Sequence, residues 1–368
     1  MNKVKVLIVD DSAVMRKMLT EALSGAKDIE VVGTALDPYI AANKIKKLSP
    51  DVLTLDIEMP RMDGLTFLKK IMIAQPMPVI MVSGLTDKGA EQTIKALQYG
   101  AVDFILKPRA DDTEAWQSFS RDLREKVIAA SNSKIASKVE KGRKAAIEEK
   151  DIPQKFTADV IIPRKKVEAP ATKTKSELIV AIGASTGGTE VIAEILSSLN
   201  EDVPGILIVQ HMPEKFTEAF ANRVNGMSSM FVKEAAHGDR LYKGMALIAP
   251  GNRHMILKRD GTGYWVEIND GPPVNRHRPS VDVLFRSAAQ VSGSNAVGII
   301  LTGMGSDGAE GLMEMKEAGA VTIAQDEASS TVFGMPREAI KRGAADNVKN
   351  ISQIINFIEE IKKKRTLH

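Results

Sequence analysis

Short apolar runs alternate with stretches of helical periodicity along most of the chain. Residues 4–9, 31–35, 52–55, 79–82 and 103–106 form runs of strand length, too short for helices and suited to strands buried on both faces. Between them, residues 14–23 and 94–99 keep apolar positions at helical spacing. The alternation predicts five strands with crossover helices, hence a doubly wound, mostly parallel sheet. It lapses near residue 125 and resumes near 176. There, strands are expected at 178–182, 205–210, 246–249, 296–301 and 321–324, and helices at 189–199, 216–225, 281–291, 309–318 and 351–362. Residues 255–257 and 264–268, separated by Arg259-Asp260-Gly261-Thr262-Gly263, read as a hairpin added to the second sheet. The fold class is α/β: two such domains, residues 1–125 and 176–368, joined by a linker at 126–175. Two domains also suit the length, 368 residues being too many for one ordinary core.

The linker carries the charge. Residues 126–175 hold 13 Lys+Arg and 6 Asp+Glu, so against a total of +3 the rest of the chain is net −4. Alanine and lysine at helical spacing over 126–146 extend the last helix of the first domain. Beyond it, Pro153, Pro163 and Pro170 punctuate a charged stretch with no sustained apolar face, the composition of a tether. Its Arg164-Lys165-Lys166 piece suits an acidic partner or anionic lipid as well as plain solvation. A basic excess confined to a linker gives no nucleic-acid footprint on a folded face, so no nucleic-acid partner is expected. The absence of cysteine excludes disulfides, zinc–thiolate sites and cysteine nucleophiles. The first apolar run ends at Asp10-Asp11, too short for a signal peptide, and no run has the length of a membrane span. A cytoplasmic protein without membrane insertion is expected.

Ligands of open α/β sheets bind beyond the carboxyl ends of the strands. In the first domain those ends carry Asp10-Asp11, Asp56, Ser83 and Lys107-Pro108. Crowded carboxylates repel one another unless a cation joins them, and an all-oxygen set beside solvent suits Mg²⁺. Asp10, Asp11 and Asp56 are the expected metal set. Asp56 is placed to attack a phosphoryl donor, giving an aspartyl phosphate held by the metal, Lys107 and the Ser83 hydroxyl. Singly, each residue has a plainer reading: Asp11 or Ser12 as an N-cap, Asp56 as a loop acid, Lys107 as a solvated charge. Their joint position at the strand ends favours the phosphoryl site.

The second domain offers a different chemistry. Its first strand runs into Gly183-Ala184-Ser185-Thr186-Gly187-Gly188 and then a helix. Three readings of that turn stand: a dinucleotide fingerprint with a serine in place of its second glycine, a nucleophilic serine on a strand-to-helix turn, or a glycine-rich turn that only packs the helix. His211 follows the second strand directly, and Asp307 lies in the loop Thr302-Gly303-Met304-Gly305-Ser306-Asp307-Gly308. Serine, histidine and aspartate at three carboxyl ends of one sheet can meet as a triad: Ser185 attacks, His211 relays the proton, Asp307 fixes the tautomer. The 303–305 loop and the helix start after Ser185 would supply amides to an oxyanion. Asp307 is equally placed to cap the helix at 308–318. His237, His254 and His277 lack metal-ligand spacing. Asn275-Arg276-His277-Arg278-Pro279-Ser280 is a basic loop leading into a helix capped by Ser280, either a solvated turn or a reader of an acidic protein substrate.

The first domain resembles a two-component receiver, a flavodoxin-like fold. Asp10 and Asp11 match its acidic pair, Asp56 its phosphoacceptor, Ser83 its switch hydroxyl, Phe104 its switch aromatic and Lys107-Pro108 its lysine–proline, with Met59-Pro60-x-Met62-Asp63-Gly64 after the acceptor. The second domain, Rossmann-like, resembles the catalytic domain of the chemotaxis receptor methylesterases. The matching stretches are Gly183–Gly188, Gln210-His211-Met212, Pro250-Gly251-x-x-His254, Asn275-x-His277-x-Pro279-Ser280, Leu301-Thr302-Gly303-Met304-Gly305-x-Asp307-Gly308 and Phe333-Gly334-Met335-Pro336. Only the linker is unmatched. The resemblance implies a serine esterase that hydrolyses glutamate γ-methyl esters and deamidates certain glutamines on methylated chemoreceptors. Ser185, His211 and Asp307 would be its triad, Met304 an oxyanion amide donor, and Thr186 and His277 active-site neighbours. It further implies a chemotaxis histidine kinase as phosphodonor, Mg²⁺ for receiver phosphorylation, no cofactor for the esterase, and a receiver that covers the active site until phosphorylated. Two rival classes are a response regulator whose output domain binds a nucleotide at Gly183–Gly188 and a DNA-binding regulator.

Overall fold

A computed structural model describes residues 3–84, 86–108, 113–133 and 177–361. They fall into two compact units, 1–141 and 142–368.

In the first unit five strands, β1 (Val4–Val9), β2 (Ile29–Ala35), β3 (Val52–Asp56), β4 (Val79–Ser83) and β5 (Asp103–Leu106), form one sheet in the order β2-β1-β3-β4-β5. Every pairing is parallel. Side chains of β3 and β4 are buried throughout, as continuous apolar runs require in a sheet covered on both faces. The crossovers are α1 (Ala13–Ser24), α2 (Pro38–Leu48), α3 (Gly64–Ala74) and α4 (Asp87–Gln98), followed by α5 (Thr113–Ser131). Ser12, Asp37, Asp63 and Thr86 cap the first four by accepting from backbone N–H groups, offsetting the orphan donors of each helix start. The expected boundary at 125 needs correction. Helix α5 runs on to Ser131, and Val127 and Ala130 are fully buried in the core of this unit. The rest of the expected tether, from 134 to 176, lies outside the described residues.

In the second unit β6 (Ile179–Ala184), α6 (Gly188–Ser198), β7 (Gly205–Gln210), α7 (Phe216–Asn225), β8 (Phe231–Glu234) and β9 (Met245–Ile248) are followed by the hairpin β10 (His254–Asp260) and β11 (Gly263–Asn269). Then come α8 (Val281–Ser292), β12 (Ala296–Ile300), α9 (Ala309–Glu317), β13 (Val321–Gln325), α10 (Met335–Lys341), β14 (Asn347–Lys349) and α11 (Ile351–Ile361). Seven strands form a parallel sheet in the order β14-β13-β12-β6-β7-β9-β8. The hairpin is not added to it, contrary to expectation: β10 and β11 pair with each other as a separate sheet. Their alternation puts Met255, Leu257, Tyr264, Val266 and Ile268 into the core, and Leu257 N–H donates to Ser287 Oγ on α8. The hairpin therefore covers a helix instead of lengthening a sheet. Among the described residues, no helix is long and apolar enough to cross a membrane.

In both sheets the chain order reverses beside the first strand of the unit, between β1 and β3 and between β6 and β12. Such switch points open crevices at the carboxyl edge.

Candidate functional site

At the first switch point, Asp10 and Asp56 are buried and Asp11 is exposed. Carboxylate oxygens of the three lie within 4.8 Å of one another. Lys107 Nζ donates to Asp56 Oδ2 at 2.8 Å and stands 3.3 Å from Asp10 Oδ2. Asp10 Oδ1 accepts from Ser12 N–H at 2.8 Å, whereas its buried Oδ2 has no hydrogen-bond partner despite the nearby ammonium. Three carboxylates gathered this closely, one of them with a buried oxygen that only the Lys107 ammonium approaches, are the donor set of a hard divalent cation, so these residues fit Mg²⁺. Burial pushes the Asp56 carboxyl up to about 6, Lys107 opposing and Asp10 adding to the rise. Burial also raises Asp10, against the Lys107 charge. Burial alone would lower Lys107, yet Asp56 and Asp10 hold its ammonium above the ordinary lysine value. Arg16 fixes the acidic turn by donating to the Asp10 and Asp11 carbonyls at 2.8 and 2.9 Å. Gly64 is required by close approach: a Cβ there would stand 2.0 Å from Asp56 O. Ser83 ends β4 with a buried hydroxyl, and Phe104 is buried in β5.

At the second switch point the structure brings Ser185, His211 and Asp307 to the ends of β6, β7 and β12. His211 Nε2 and Asp307 Oδ2 are 2.8 Å apart, with side chains 8% and 1% exposed. The other ring nitrogen, Nδ1, is buried without a hydrogen-bond partner. His277 stacks on His211 with centroids 3.7 Å apart and planes 11° off parallel. Ser185 itself is half-buried.

Asp307 does not cap its own helix. Gly308, in the left-handed region at φ 90°, occupies the N-cap of α9 and makes no side-chain cap. The Asp307 carboxylate instead sits on the N-terminus of α8, accepting from Val281 N–H at 2.7 Å, Asp282 N–H at 3.2 Å, Ser280 Oγ at 2.8 Å and Asn275 Nδ2 at 2.9 Å. Ser280 is the N-cap residue by position, but its hydroxyl donates to Asp307 instead of capping. A helix N-terminus favours a carboxylate. Burial works against the Asp307 charge, yet His211, Asn275 and Val281 N–H outweigh it and hold the carboxyl well below the usual range. The neighbouring Asp282 shows the reverse. Burial pushes it up to about 6, with Gly311 N–H opposing and the Asp307 charge adding.

Two glycines make this docking possible. A Cβ on Gly183 would stand 2.1 Å from Val281 Cγ1, and one on Gly308 2.5 Å from the same atom. Val281 thus fills the space between the ends of β6 and β12 and brings the α8 amides to Asp307. A Cβ added to Gly188 would likewise collide with Gln210 Oε1, and one added to Gly187 with the Thr331 side chain. Protein side chains occupy the room that the glycines of a dinucleotide fingerprint would leave to a pyrophosphate, which argues against that reading.

The Ser185 turn is braced from below. Ser185 N–H donates to Thr302 O at 3.0 Å, Gln210 Nε2 donates to Ser185 O at 2.9 Å, and Gly188 N–H turns back to Ser185 O at 2.8 Å. Thr302 is fully buried. Its hydroxyl lies 3.0 Å from Thr186 O, 3.2 Å from Val332 O and 2.9 Å from Val332 N, and its own N–H donates to Gln325 Oε1 at 2.7 Å. Thr186 is buried and Met304 half-buried. Gly303 approaches so closely that a Cβ would stand 2.7 Å from Ser185 Cβ. Gly303 N–H is bonded to Val332 O, whereas among the described residues the Met304 N–H is committed to no hydrogen bond. The Phe333-Gly334-Met335 turn clasps this loop: Gly334 and Met335 N–H both donate to Gly303 O, at 3.0 and 2.8 Å.

Sequence reasoning missed Asn275 as a partner of Asp307, and His254. Buried His254 bonds Pro272 O through Nε2 at 3.0 Å and accepts Ser280 N–H on Nδ1 at 3.3 Å, fixing the start of α8. Both residues lie in stretches that match the methylesterase family, but spacing along the chain carries no information about their contacts. The basic loop is anchored inward by Arg278, which donates to Asn252 Oδ1 and to the Asp270 and Gly271 carbonyls.

Comparison with known proteins follows the same division. Residues 6–115 match the family described as response regulator receiver domain, and 180–358 match CheB methylesterase. The chain is thus a response regulator with a methylesterase-type output unit. It is 52% identical over 351 residues to a protein-glutamate methylesterase/protein-glutamine glutaminase of Geobacter metallireducens, covering 95% of this chain and 94% of that one. A Xanthomonas oryzae pv. oryzae protein of the same name is 54% identical, over 93% of this chain and 96% of its own. The crystal structure of the Thermotoga maritima CheB methylesterase catalytic domain is 36% identical, covers 51% of this chain and 99% of that chain, and has a TM-score of 0.49. The chain belongs to the protein-glutamate methylesterase/protein-glutamine glutaminase family.

Proposed function

We propose that this protein is a cytoplasmic, phosphorylation-controlled esterase that hydrolyses glutamate γ-methyl esters, and deamidates specific glutamines, on the cytoplasmic helices of chemoreceptors. The observation that carries the reading is the His211–Asp307 pair at 2.8 Å, whose second imidazole nitrogen is buried and unpartnered beside the Ser185 turn. Ser185 Oγ attacks the ester carbonyl carbon and gives its proton to His211 Nδ1. Asp307 on Nε2 holds the ring and stabilises the imidazolium. The Met304 amide meets the developing oxyanion. Collapse breaks the C–O bond, His211 returns the proton to the leaving methoxide, and methanol departs. Water, deprotonated by His211, then attacks the acyl-serine, regenerating Ser185 and releasing the glutamate carboxylate. A glutamine side chain follows the same path with ammonia leaving. Thr186 and the stacked His277 shape the pocket around the reacting atoms.

In the receiver, Asp56 is the phosphoacceptor and a chemotaxis histidine kinase its donor. Asp10, Asp11 and Asp56 would hold Mg²⁺, which when bound supplies positive charge to the phosphoryl oxygens. Lys107 neutralises Asp56 and orients it, and Ser83 and Phe104 register the new charge. A tenfold activation requires a shift of only about 1.4 kcal/mol in the balance of conformations.

The test is methanol release from methylated chemoreceptor by wild type and Ser185→Ala, with and without a small-molecule phosphodonor. Release that the phosphodonor increases and Ser185→Ala eliminates is expected. Release undiminished in Ser185→Ala would break the nucleophile assignment.

A further inference from the structure

Thr93 stands in the second turn of α4, fully buried, on the flank of the phosphoryl site. Its Oγ1 is 2.9 Å from Ser83 Oγ and 2.8 Å from Gly89 O. Ser83 has one further contact for its hydroxyl, Gly84 O, at 3.3 Å. Each hydroxyl owns a single proton. Both shorter contacts are satisfied when Ser83 donates to Thr93 and Thr93 donates to Gly89 O. In that chain the Ser83 proton is directed at α4. Gly89 permits the approach, since a Cβ there would stand 2.8 Å from Gly84 O and 3.4 Å from Ser83 Oγ. Helix α4 therefore packs directly on the Ser83 turn.

We infer that Thr93 is a positioning residue of the phosphoryl site. Its hydroxyl holds Ser83 in a resting orientation, and a phosphoryl oxygen on Asp56 must win the Ser83 proton from it. The inference rests on Asp56 being the phosphoacceptor. Because the two acceptors compete for one proton, deleting the Thr93 hydroxyl leaves Ser83 available to the phosphoryl group. Affinity for that group rises by the worth of one neutral hydrogen bond, roughly two- to tenfold. The coupling is reciprocal: a phosphoryl group that draws Ser83 away releases Thr93, so α4 senses the event through a specific hydroxyl.

The experiment titrates the full-length protein with beryllium fluoride in the presence of Mg²⁺, a phosphoryl mimic, and follows saturation by fluorine NMR. Thr93→Val should half-saturate at a concentration roughly two- to tenfold lower than wild type, with Thr93→Ala shifting the same way. Thr93→Ser, which keeps the hydroxyl, should restore the wild-type value. In a Ser83→Ala background, Thr93→Val should have no effect. An unchanged or weakened affinity in both Thr93→Val and Thr93→Ala would overturn the inference, as would a shift that persists without Ser83. A wild type that binds no better than Asp56→Asn would instead refute the phosphoacceptor reading beneath it.

Discussion

Replacing Asp307 by asparagine should damage stability and catalysis through a single cause. Oδ2 accepts from His211 Nε2 and Val281 N–H; Oδ1 accepts from Asn275, Ser280 and Asp282 N–H. An amide turns one of these oxygens into a donor. With the NH₂ in the Oδ2 place, two donors lose their acceptor. In the Oδ1 place, three do. The Val281 and Asp282 amides are fixed by α8 and cannot turn away. At about 1.5–3 kcal/mol for each hydrogen bond to a charged group, two losses amount to about 3–6 kcal/mol, a large share of the 5–15 kcal/mol that typically holds a domain together. The effect has a pH signature. The native carboxyl lies below its unfolded value, so its contribution is present above about pH 4 and fades only as pH falls through the native value. The gap between variant and parent should be full at neutrality and close in acid. Of the two tryptophans, Trp265 lies in the second unit and Trp116 in the first. A Trp116→Phe background therefore makes fluorescence-monitored urea unfolding report on the output unit alone. Methanol release measured alongside should fall by about 10⁴-fold in kcat, the usual loss when the tautomer-fixing carboxylate goes. An unfolding midpoint equal to the parent's, with kcat reduced less than tenfold, would mean that this carboxylate neither organises α8 nor orients His211.

Two further outcomes are expected. Burial raises Asp56 from 3.8 to about 6, so the protonated form favours the fold: that stability is complete below about pH 4 and lost as pH rises through about 6. Asp56→Asn should consequently stabilise the metal-free receiver above about pH 7, by up to about 3 kcal/mol, with the gain vanishing in acid; thermal melts in EDTA across pH read it, and equal stability at every pH would contradict it. Gly183→Ala should destabilise the output unit by about 1–3 kcal/mol and lower kcat, because its Cβ would stand 2.1 Å from Val281 Cγ1 and push α8 off Asp307. Gly261→Ala, where a Cβ meets nothing within 4 Å, is the control, and equal melting points for the two variants would refute the packing argument.

The alternation of apolar runs and amphipathic stretches is enough to place the buried parallel strands, because strands covered on both faces stay predominantly apolar, as Ile-Val-Ala-Ile-Gly-Ala of β6 and Val-Ile-Met-Val-Ser of β4 do. Edge elements carry no such signature. β8 (Phe-Val-Lys-Glu) and β14 (Asn-Val-Lys) are short and half polar, and α10 spans only seven residues; each takes its form from neighbours already in place. The hairpin was legible as a hairpin, but its destination was not, since alternation says which face is buried and not against what. The same divide runs through the site. Ser185, His211 and Asp307 could be found at strand ends. The route by which Asp307 is held, through the amides of α8 and a side chain of the 274–278 loop, depends on a helix docking between two glycines. No spacing rule encodes that. Asp307 does cap a helix, but it is α8 and not the helix that follows it in the chain.

The buried Thr302 hydroxyl has a wider implication. It ties the loop after β6 to the loop after β12 and the turn at Val332, while the Thr302 amide is fastened to β13 through Gln325. The Ser185 turn, the 303–305 loop and the clasp over it therefore behave as one mechanical piece, with little slack to be taken up or released. In a part so stiff, turning activity up or down by bending the reacting groups out of line would mean breaking several buried bonds at once. Admission of substrate is the softer variable, and a regulator that throttles entry can leave the catalytic geometry intact in both states.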